Sequence, residues 1–180
     1  MTAKKSFSKI LWIPGLIILL LAAYKGISVF TGASTGDAAP DFTAELVNGE
    51  MYSLSDSRGH YIILDFWASW CGPCLRDNPK LVALESKYSD KTFDNGSELH
   101  VVSVALEKRG EAWKRAAERM GFNWERQIVQ KHKIVMASPI ANDYGVTDIP
   151  AKFLIDPGGN IVSAKTSFEA IDEYLSDRLD

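Results

Sequence analysis

The sequence predicts an α/β fold in which helices flank a mixed central sheet. Three observations support this class: continuous apolar runs of strand length at 61–68 and 99–106, helical periodicity after each run, and a final strand–turn–strand–helix pattern. The chain has 180 residues, of which 46% are hydrophobic, and this is enough for one domain with a real core. We therefore expect a folded domain at 41–180, a linker at 31–40 and a separate segment at 1–30.

The separate segment has the pattern of a membrane-targeting sequence. Lysines precede the stretch 10–24, which carries no charge, and Lys25 is the only charge as far as Phe30. A spanning helix needs about 20 mostly apolar residues, a length that 10–30 reaches if the Lys25 stem carries its ammonium to the interface. This predicts a single-pass membrane protein with its domain on the periplasmic or extracellular side. The alternative is a signal peptide cleaved near 31–33, which would release the domain to the periplasm.

Charge and histidine spacing argue against two classes of partner. The formal net charge of -3 and the pI near 5.6 give no broad attraction for phosphates, so we expect no nucleic-acid partner. A tetrahedral zinc site needs about four ligands, whereas His60, His100 and His132 stand apart from the cysteines and from one another. We therefore expect no metal site.

The domain is expected to begin with a hairpin and a central strand. Residues 41–56 alternate apolar and polar positions around Asn48-Gly49, which is a strong hairpin signal. The run 61–68 is apolar apart from Asp65, as is typical of a strand covered on both faces. A helix is expected after the cysteines. Its apolar positions at helical spacing are Leu81, Val82, Leu84 and Tyr88.

The second half continues the alternation of strands and helices. The run 99–106 predicts a buried strand, and the stretch 123–143 is interpreted as a central insertion with a strand at 126–130 and a short helix at 138–145. Residues 151–166 predict a strand, a tight turn and a strand before the closing helix. The expected buried positions of the two helices in this half are Trp113, Ala116, Ala117 and Met120, and then Phe168, Ile171 and Leu175.

Cys71 and Cys74, the two cysteines of the chain, are separated by Gly72 and Pro73. A bridge between them closes only a tiny loop and removes little chain entropy, so stabilisation alone explains it poorly. A helix N-terminus stabilises a thiolate through free backbone N–H groups and the helix dipole, and Cys71 is expected there. Pro73 suits the first helical turn, and Gly72 lets the backbone bend. The spacing predicts an exposed attacking sulfur on Cys71 and a more buried resolving sulfur on Cys74.

Asp65 interrupts the apolar strand six residues before Cys71. In a covered strand its carboxylate would be desolvated, which raises its pKa and allows it to exchange protons with Cys74 near neutral pH. The alternative is that this face of the strand is open and Asp65 is an ordinary solvated acid.

Two segments together resemble a known superfamily. The segment 65–74, "DFWASWCGPC", resembles the active-site segment of the thioredoxin superfamily, and Pro79 lies where that family kinks its active-site helix. The segment 143–156, "DYGVTDIPAKFLID", resembles the segment that contains the family's cis-proline. The hairpin, the insertion and the N-terminal segment resemble the membrane-anchored disulfide reductases of the TlpA and ResA type. The resemblance covers roughly residues 41–178.

This resemblance implies a thioredoxin-like fold and an extracytoplasmic thiol-disulfide oxidoreductase that reduces client disulfides, with apocytochrome cysteines among the open substrates. It implies no cofactor beyond the Cys71–Cys74 disulfide. The implied partners are a client protein with a disulfide, an upstream membrane thiol donor and the membrane itself. The implied site consists of catalytic Cys71, Cys74 and Asp65, and of substrate-binding Trp70, Gly72, Pro73, Ile149 and Pro150.

The sequence also departs from the thioredoxin pattern. The strand 101–106 has no lysine to pair with Asp65, and Asp148 stands before the Ile149–Pro150 pair, where thioredoxins usually carry glycine. Thr166 and Ser167 occupy the place of another family glycine. We expect these departures to alter the choice of partner rather than the chemistry.

Two other functions remain to be weighed. A peroxidase of the peroxiredoxin kind shares the scaffold, but it needs an isolated cysteine with a threonine three residues before it, whereas Cys71 follows Ala-Ser-Trp and has a partner sulfur on Cys74. A binding or assembly module would use the scaffold without turnover. The intact Cys71, Cys74, Asp65 and Pro150 argue against that reading.

Overall fold

The computed structural model describes residues 14–20 and 32–179, and a mixed five-stranded sheet forms its centre. The strands are β1 (Thr43–Glu45), β2 (Met51–Ser53), β3 (Tyr61–Trp67), β4 (Leu99–Glu107), β5 (Gln127–Lys131), β6 (Ala151–Ile155) and β7 (Ile161–Ala164). The central sheet has the order β5-β4-β3-β6-β7. The pairs β3–β4 and β4–β5 are parallel, whereas β3–β6 and β6–β7 are antiparallel. The predicted mixed sheet is thus confirmed.

Helices cover both faces of this sheet. They are α1 (Gly72–Tyr88), α2 (Ala112–Met120), α3 (Pro139–Asp143) and α4 (Phe168–Ser176), with single 3₁₀ turns at Leu54–Ser57 and Val135–Ala137. Helices α1, α2 and α4 pack on one face, where Ile63 and Trp67 of β3 point. Helix α3 and the stretch 39–46 pack on the other face, where Leu64 and Phe66 point. Because side chains alternate along a strand, Asp65 points to the α1 face.

The predicted hairpin and insertion are both present. Strands β1 and β2 pair antiparallel, and Gly49 in the turn has a φ of +90°, which glycine adopts without steric penalty. The insertion contains β5 at the sheet edge and α3 on the face opposite α1. It therefore adds an edge strand and a wall beside the carboxyl end of β4.

The N-terminal segment 36–47 runs from one edge of the sheet to the other. At the β7 edge, the Gly36 N–H donates to the Ile161 carbonyl at 2.7 Å. At the β5 edge, the Val47 N–H donates to the Gln127 carbonyl at 2.9 Å. Part of the segment predicted as a linker therefore lies against the sheet.

The prediction of a single-pass membrane protein is wrong for the described residues. Helical residues 14–20 extend only about 10 Å at 1.5 Å per residue, whereas a bilayer core of about 30 Å needs about 20 residues. Across 14–20 and 32–179, no helix combines the length and the apolar character that a membrane crossing requires. The rest of the predicted segment, including Thr31 of the alternative cleavage site, lies outside the described residues. The predicted location at a membrane, with the domain on the periplasmic or extracellular side, therefore has no spanning helix to support it among the described residues.

Candidate active site

The turn between β3 and α1 places the two cysteines at the start of the helix. Cys71 is the N-cap of α1, and its Sγ accepts a hydrogen bond from the Cys74 backbone N–H at 3.1 Å. Pro73 lies in the first turn, where a missing N–H costs nothing. The two sulfurs form a disulfide with an S–S distance of 2.07 Å. The sequence prediction of a helix N-terminus at Cys71 is confirmed.

The two sulfur-bearing residues differ less in exposure than predicted. Cys71 is only 5% exposed and Cys74 is fully buried. The prediction of an exposed Cys71 is therefore wrong in degree, because the loop before Pro150 packs against its sulfur: the Ile149 carbonyl oxygen lies 3.7 Å from Cys71 Sγ. Cys71 still remains the more accessible of the pair.

The Ile149–Pro150 peptide bond is cis, as predicted. Both residues are half-buried, and Ile149 packs against the hydrophobic clusters on both faces of the sheet. The loop thus meets the active-site turn beside Cys71. Substrate binding by Ile149 and Pro150 stays a prediction.

Trp70 is the exposed residue that directly precedes Cys71. Its side chain is 45% exposed, and its indole Nε1 donates to the Leu106 carbonyl at 3.1 Å. The Lys108 ammonium lies 4.7 Å from the centre of the indole ring, within the range of a cation–π interaction. Trp70 is therefore fixed at the end of β4 and presents its free face to solvent.

Glu107 fixes the same turn through hydrogen bonds, and the sequence analysis did not identify this residue. This residue is 2% exposed, and its two carboxylate oxygens accept hydrogen bonds from the Ser69 backbone N–H at 2.7 Å and from Ser69 Oγ at 2.9 Å. An acidic residue directly after a buried apolar strand was the available signal. Glu107 connects β4 to the turn that carries Trp70.

A groove opens beside Trp70, between the end of β4 and the insertion. Its cavity volume is about 370 Å³. Ile134, which is 65% exposed, contributes apolar surface, and three basic side chains lie along it. These basic residues are Lys108, His132 and Lys133. The groove offers an apolar surface with a basic border close to Cys71.

Asp65 lies on β3 in a fully buried position. It is 0% exposed, and neither carboxylate oxygen has a hydrogen-bond partner among the described atoms. The pKa of Asp65 is raised from 3.8 to about 7, mainly by burial; the charge of Lys152 acts against this rise, and the charge of Asp77 adds to it. The expectation of a raised pKa is confirmed, and the alternative of a solvated acid is wrong. Asp65 and Cys74 both lie on the α1 face of the sheet.

A lysine near Asp65 also escaped the sequence analysis. The strand 101–106 lacks one, but Lys152 on β6 stands directly opposite Asp65 in the antiparallel β3–β6 register. Lys152 is 5% exposed and pairs with Asp77 of α1. Cross-strand pairing between distant segments brings these residues together, so spacing along the chain did not indicate it.

His60 and His100 lie side by side, which corrects the expectation that the histidines stand apart. Parallel pairing of β3 with β4 brings them together, and their rings stack with centroids 4.2 Å apart. With Glu98, their ligand atoms lie within 4.8 Å of one another. However, His100 Nδ1 bonds Ser57 Oγ at 2.8 Å, and the Arg126 guanidinium lies beside its ring.

The same surroundings act against a cation at this histidine pair. Burial, together with the charges of Arg126 and His60, lowers the pKa of His100 to about 4. A fixed positive charge beside the ring repels a metal ion for the same reason. We therefore assign no metal to this pair.

Comparisons with known proteins agree with this geometry. Residues 35–164 match the model of the AhpC/TSA family. The thiol-disulfide oxidoreductase ResA of Geobacillus thermodenitrificans is 31% identical over 169 residues, which are 88% of this chain and 90% of that protein. The thioredoxin-like protein YneN of Bacillus subtilis is 29% identical over 160 residues, which are 83% of this chain and 86% of that protein.

Solved structures give the same result. The thioredoxin domain of a thiol-disulfide oxidoreductase from Bacteroides vulgatus superposes with a TM-score of 0.66 at 26% identity, covering 79% of this chain and 98% of that one. A thiol-disulfide oxidoreductase from Bacteroides fragilis superposes with a TM-score of 0.67 at 27% identity, covering 78% and 98%. The chain belongs to the AhpC/TSA family and is a thiol-disulfide oxidoreductase with a thioredoxin-like fold.

Proposed function

We propose that this chain reduces disulfides of client proteins through the Cys71–Cys74 pair. The observation that carries the proposal is the asymmetry of the pair. Cys71 lies between the exposed Trp70 and the loop before Pro150, whereas Cys74 is buried on the side of Asp65. One sulfur therefore faces a client, and the other faces an internal acid.

The reaction begins with the pair in its dithiol form. The Cys71 thiolate attacks one sulfur of the client disulfide, a bond forms between them, and the client's second sulfur leaves as a thiolate. Cys74 then gives its proton to ionised Asp65, directly or through one water, and attacks Cys71 Sγ. The bond to the client breaks, and the client has gained two electrons. With protons taken from Asp65 and solvent it ends as two thiols, and Cys71–Cys74 is again a disulfide.

The spent pair needs a dithiol donor. The chain has two cysteines, so no internal pair can return two electrons to Cys71–Cys74. The donor is therefore a separate molecule, which makes it the second partner of the cycle beside the client protein.

The groove beside Trp70 supports a protein client. Its apolar Ile134 and the basic border suit a peptide that carries a bulky apolar side chain next to carboxylates. The backbone around Ile149 supplies the second contact expected for an extended client segment.

Insulin reduction by dithiothreitol, followed as precipitation of the released chain, tests this function. The wild-type chain should accelerate precipitation, and Cys71→Ser should return the rate to that of dithiothreitol alone. Equal rates for the two proteins would instead favour a binding module without turnover. Consumption of hydrogen peroxide faster than disulfide turnover would favour the peroxidase alternative.

A further inference from the structure

Lys152 is an unusually placed lysine. Its side chain is 6% exposed, in the interior of the sheet face covered by α1 and α4. Its position on β6 pairs with Asp65 on β3, and side chains at paired positions of an antiparallel sheet lie on the same face. A lysine is seldom buried unless its charge is compensated, so the residue needs an explanation.

The Lys152 ammonium is held between α1 and α4. Its Nζ lies 2.5 Å from Asp77 Oδ2, and 4.4 Å from the centre of the Phe168 ring. Asp77 also contacts the more exposed Lys80, at 3.4 Å. Asp77 thus fixes the ammonium in place, and Asp65 experiences its charge without a hydrogen bond.

The other surroundings of Asp65 carry little charge. Among the described residues, the charged groups that act on Asp65 are Lys152 from β6 and Asp77 from α1, and Cys74 of α1 lies on the same face of the sheet. On the β4 side its register partner is the uncharged Ser103.

The β4 neighbour of Asp65 does not titrate. Ser103 Oγ accepts a hydrogen bond from Trp124 Nε1 at 3.1 Å, so its hydroxyl is already engaged. Helices α2 and α4 contribute apolar side chains, among them Ala116, Ala117 and Phe168. One cation and one anion therefore dominate the electrostatic field at Asp65.

We propose that Lys152 is a positioning residue that, together with Asp77, sets how much of Asp65 is ionised. The two groups act in opposite directions: the ammonium favours the Asp65 carboxylate, and the Asp77 carboxylate opposes it. Their effect on catalysis, through the proton that Cys74 gives to Asp65, rests on the proposed function.

The first test reads the titration of Asp65 itself. The probe is the ¹³C carboxyl resonance of Asp65 in the oxidised full chain, in which neither cysteine titrates and no client is present. Lys152→Met keeps a long apolar stem, and it should shift the Asp65 titration upward by about one pH unit. Asp77→Asn should shift it downward, because it removes the opposing anion. Lys80→Met is the matched control, since it removes a lysine that also contacts Asp77 at the surface, and it should leave the titration in place.

The second test reads the resolving step. A reduced chain that reacts with an aromatic disulfide such as 5,5′-dithiobis(2-nitrobenzoate) releases one coloured thiolate when Cys71 attacks and a second when Cys74 resolves the adduct. The midpoint of the pH–rate profile of the second release should move upward in Lys152→Met and downward in Asp77→Asn, while the first release keeps its profile.

The outcomes separate this proposal from the proposed function. An unshifted Asp65 titration in both variants, or shifts of the same sign, overturns the role of Lys152. A shifted titration with unshifted second release supports that role but overturns the assignment of Asp65 to the resolving step. If Lys152→Met does not fold, Asp77→Asn alone decides, because a folded variant with an unshifted or raised titration contradicts the proposal.

Discussion

The two sides of the disulfide hold their buried carboxylates in different ways. On the Cys71 side, Glu107 accepts two hydrogen bonds from Ser69 and fixes the turn. On the Cys74 side, Asp65 has no hydrogen-bond partner among the described atoms and a raised pKa. A buried carboxylate that is fully hydrogen-bonded acts as a structural brace, whereas an unbonded one gains or loses a proton near neutral pH. The comparison separates a side that hydrogen bonds hold in place, next to Trp70, from a side whose carboxyl group can exchange a proton near neutral pH.

The largest expected effect comes from replacing each cysteine by serine, one at a time. Cys71→Ser should abolish both steps of client reduction, because the attacking sulfur is gone. Cys74→Ser should abolish turnover but leave the first step intact, so that covalent client complexes accumulate on non-reducing gels. Equal amounts of trapped client in the two variants would mean that the two sides of the disulfide are interchangeable.

Asp65→Asn should have the next largest effect, and it should affect only the reaction of Cys74. Loss of a general base typically costs about 10²-fold in rate, so the resolving step should slow by about that factor at pH 7. The attack by Cys71 should keep its rate. Stopped-flow measurement of both thiolate releases checks this, and an unchanged second release would remove Asp65 from the mechanism.

The same substitution should change how stability depends on pH. Asp65 has a pKa of about 7 in the folded protein and 3.8 as its ordinary value, so between these pH values the folded state binds more protons than the unfolded state. Wild-type stability should therefore fall as pH rises through this window. From pH 5 to 8 the Asp65 contribution to that fall is about 3 kcal/mol, and Asp65→Asn should lack it.

Denaturant unfolding of the oxidised chain at several pH values measures this contribution. Asp90→Asn, at an exposed position after α1, is the control and should retain the wild-type slope. Parallel curves for wild type and Asp65→Asn would show that Asp65 is not protonated by folding.

Glu107→Gln should have a smaller effect and of another kind. The charge-assisted hydrogen bonds to Ser69 are weakened, which should cost about 1–3 kcal/mol of unfolding free energy. Because Glu107 acts as a brace, the pH profile of the resolving step should stay where it is. Ser69→Ala, which removes only the hydroxyl contact, should cost less. A shifted profile in Glu107→Gln would end the distinction between the two carboxylates.

The smallest expected effect concerns the groove beside Trp70. Ile134→Ser removes exposed apolar surface and should raise KM for insulin by about two- to fivefold, which corresponds to roughly 1 kcal/mol, with kcat unchanged. Met51→Ser removes a similarly exposed apolar side chain from β2 and serves as the control. Equal KM values for these two variants would exclude the Ile134 surface from client contact.

The features that the sequence predicted are those encoded in short segments. The Asn48-Gly49 hairpin and the helix start at Cys71 each depend on a few neighbouring residues, whereas the cis bond before Pro150 was predicted from the resemblance of one short segment; the structure confirms all three. The burial of Asp65 also followed from its place in one apolar run. Local patterns of this kind are visible in the sequence because they do not depend on which distant strands pair.

The missed features depend on which distant strands pair and in what register. Lys152 meets Asp65 across β3–β6, and His100 meets His60 across β3–β4, although about 87 and 40 residues separate the members of each pair. A shift of the pairing by one residue would move Lys152 to the opposite face. The low exposure of Cys71 likewise depends on a loop 78 residues away. The spacing of residues along the sequence does not indicate these contacts between distant segments.

The segment 36–47 hydrogen-bonds to β7 at one side of the central sheet and to β5 at the other, so it covers the first residues of both edge strands. Open sheet edges recruit extended chains without regard to sequence and lead to edge-to-edge polymers. The client proteins proposed above would present such extended chains. The covered part of each edge cannot pair with such a chain, so the segment 36–47 shortens the stretch of sheet that could act as a template for aggregation.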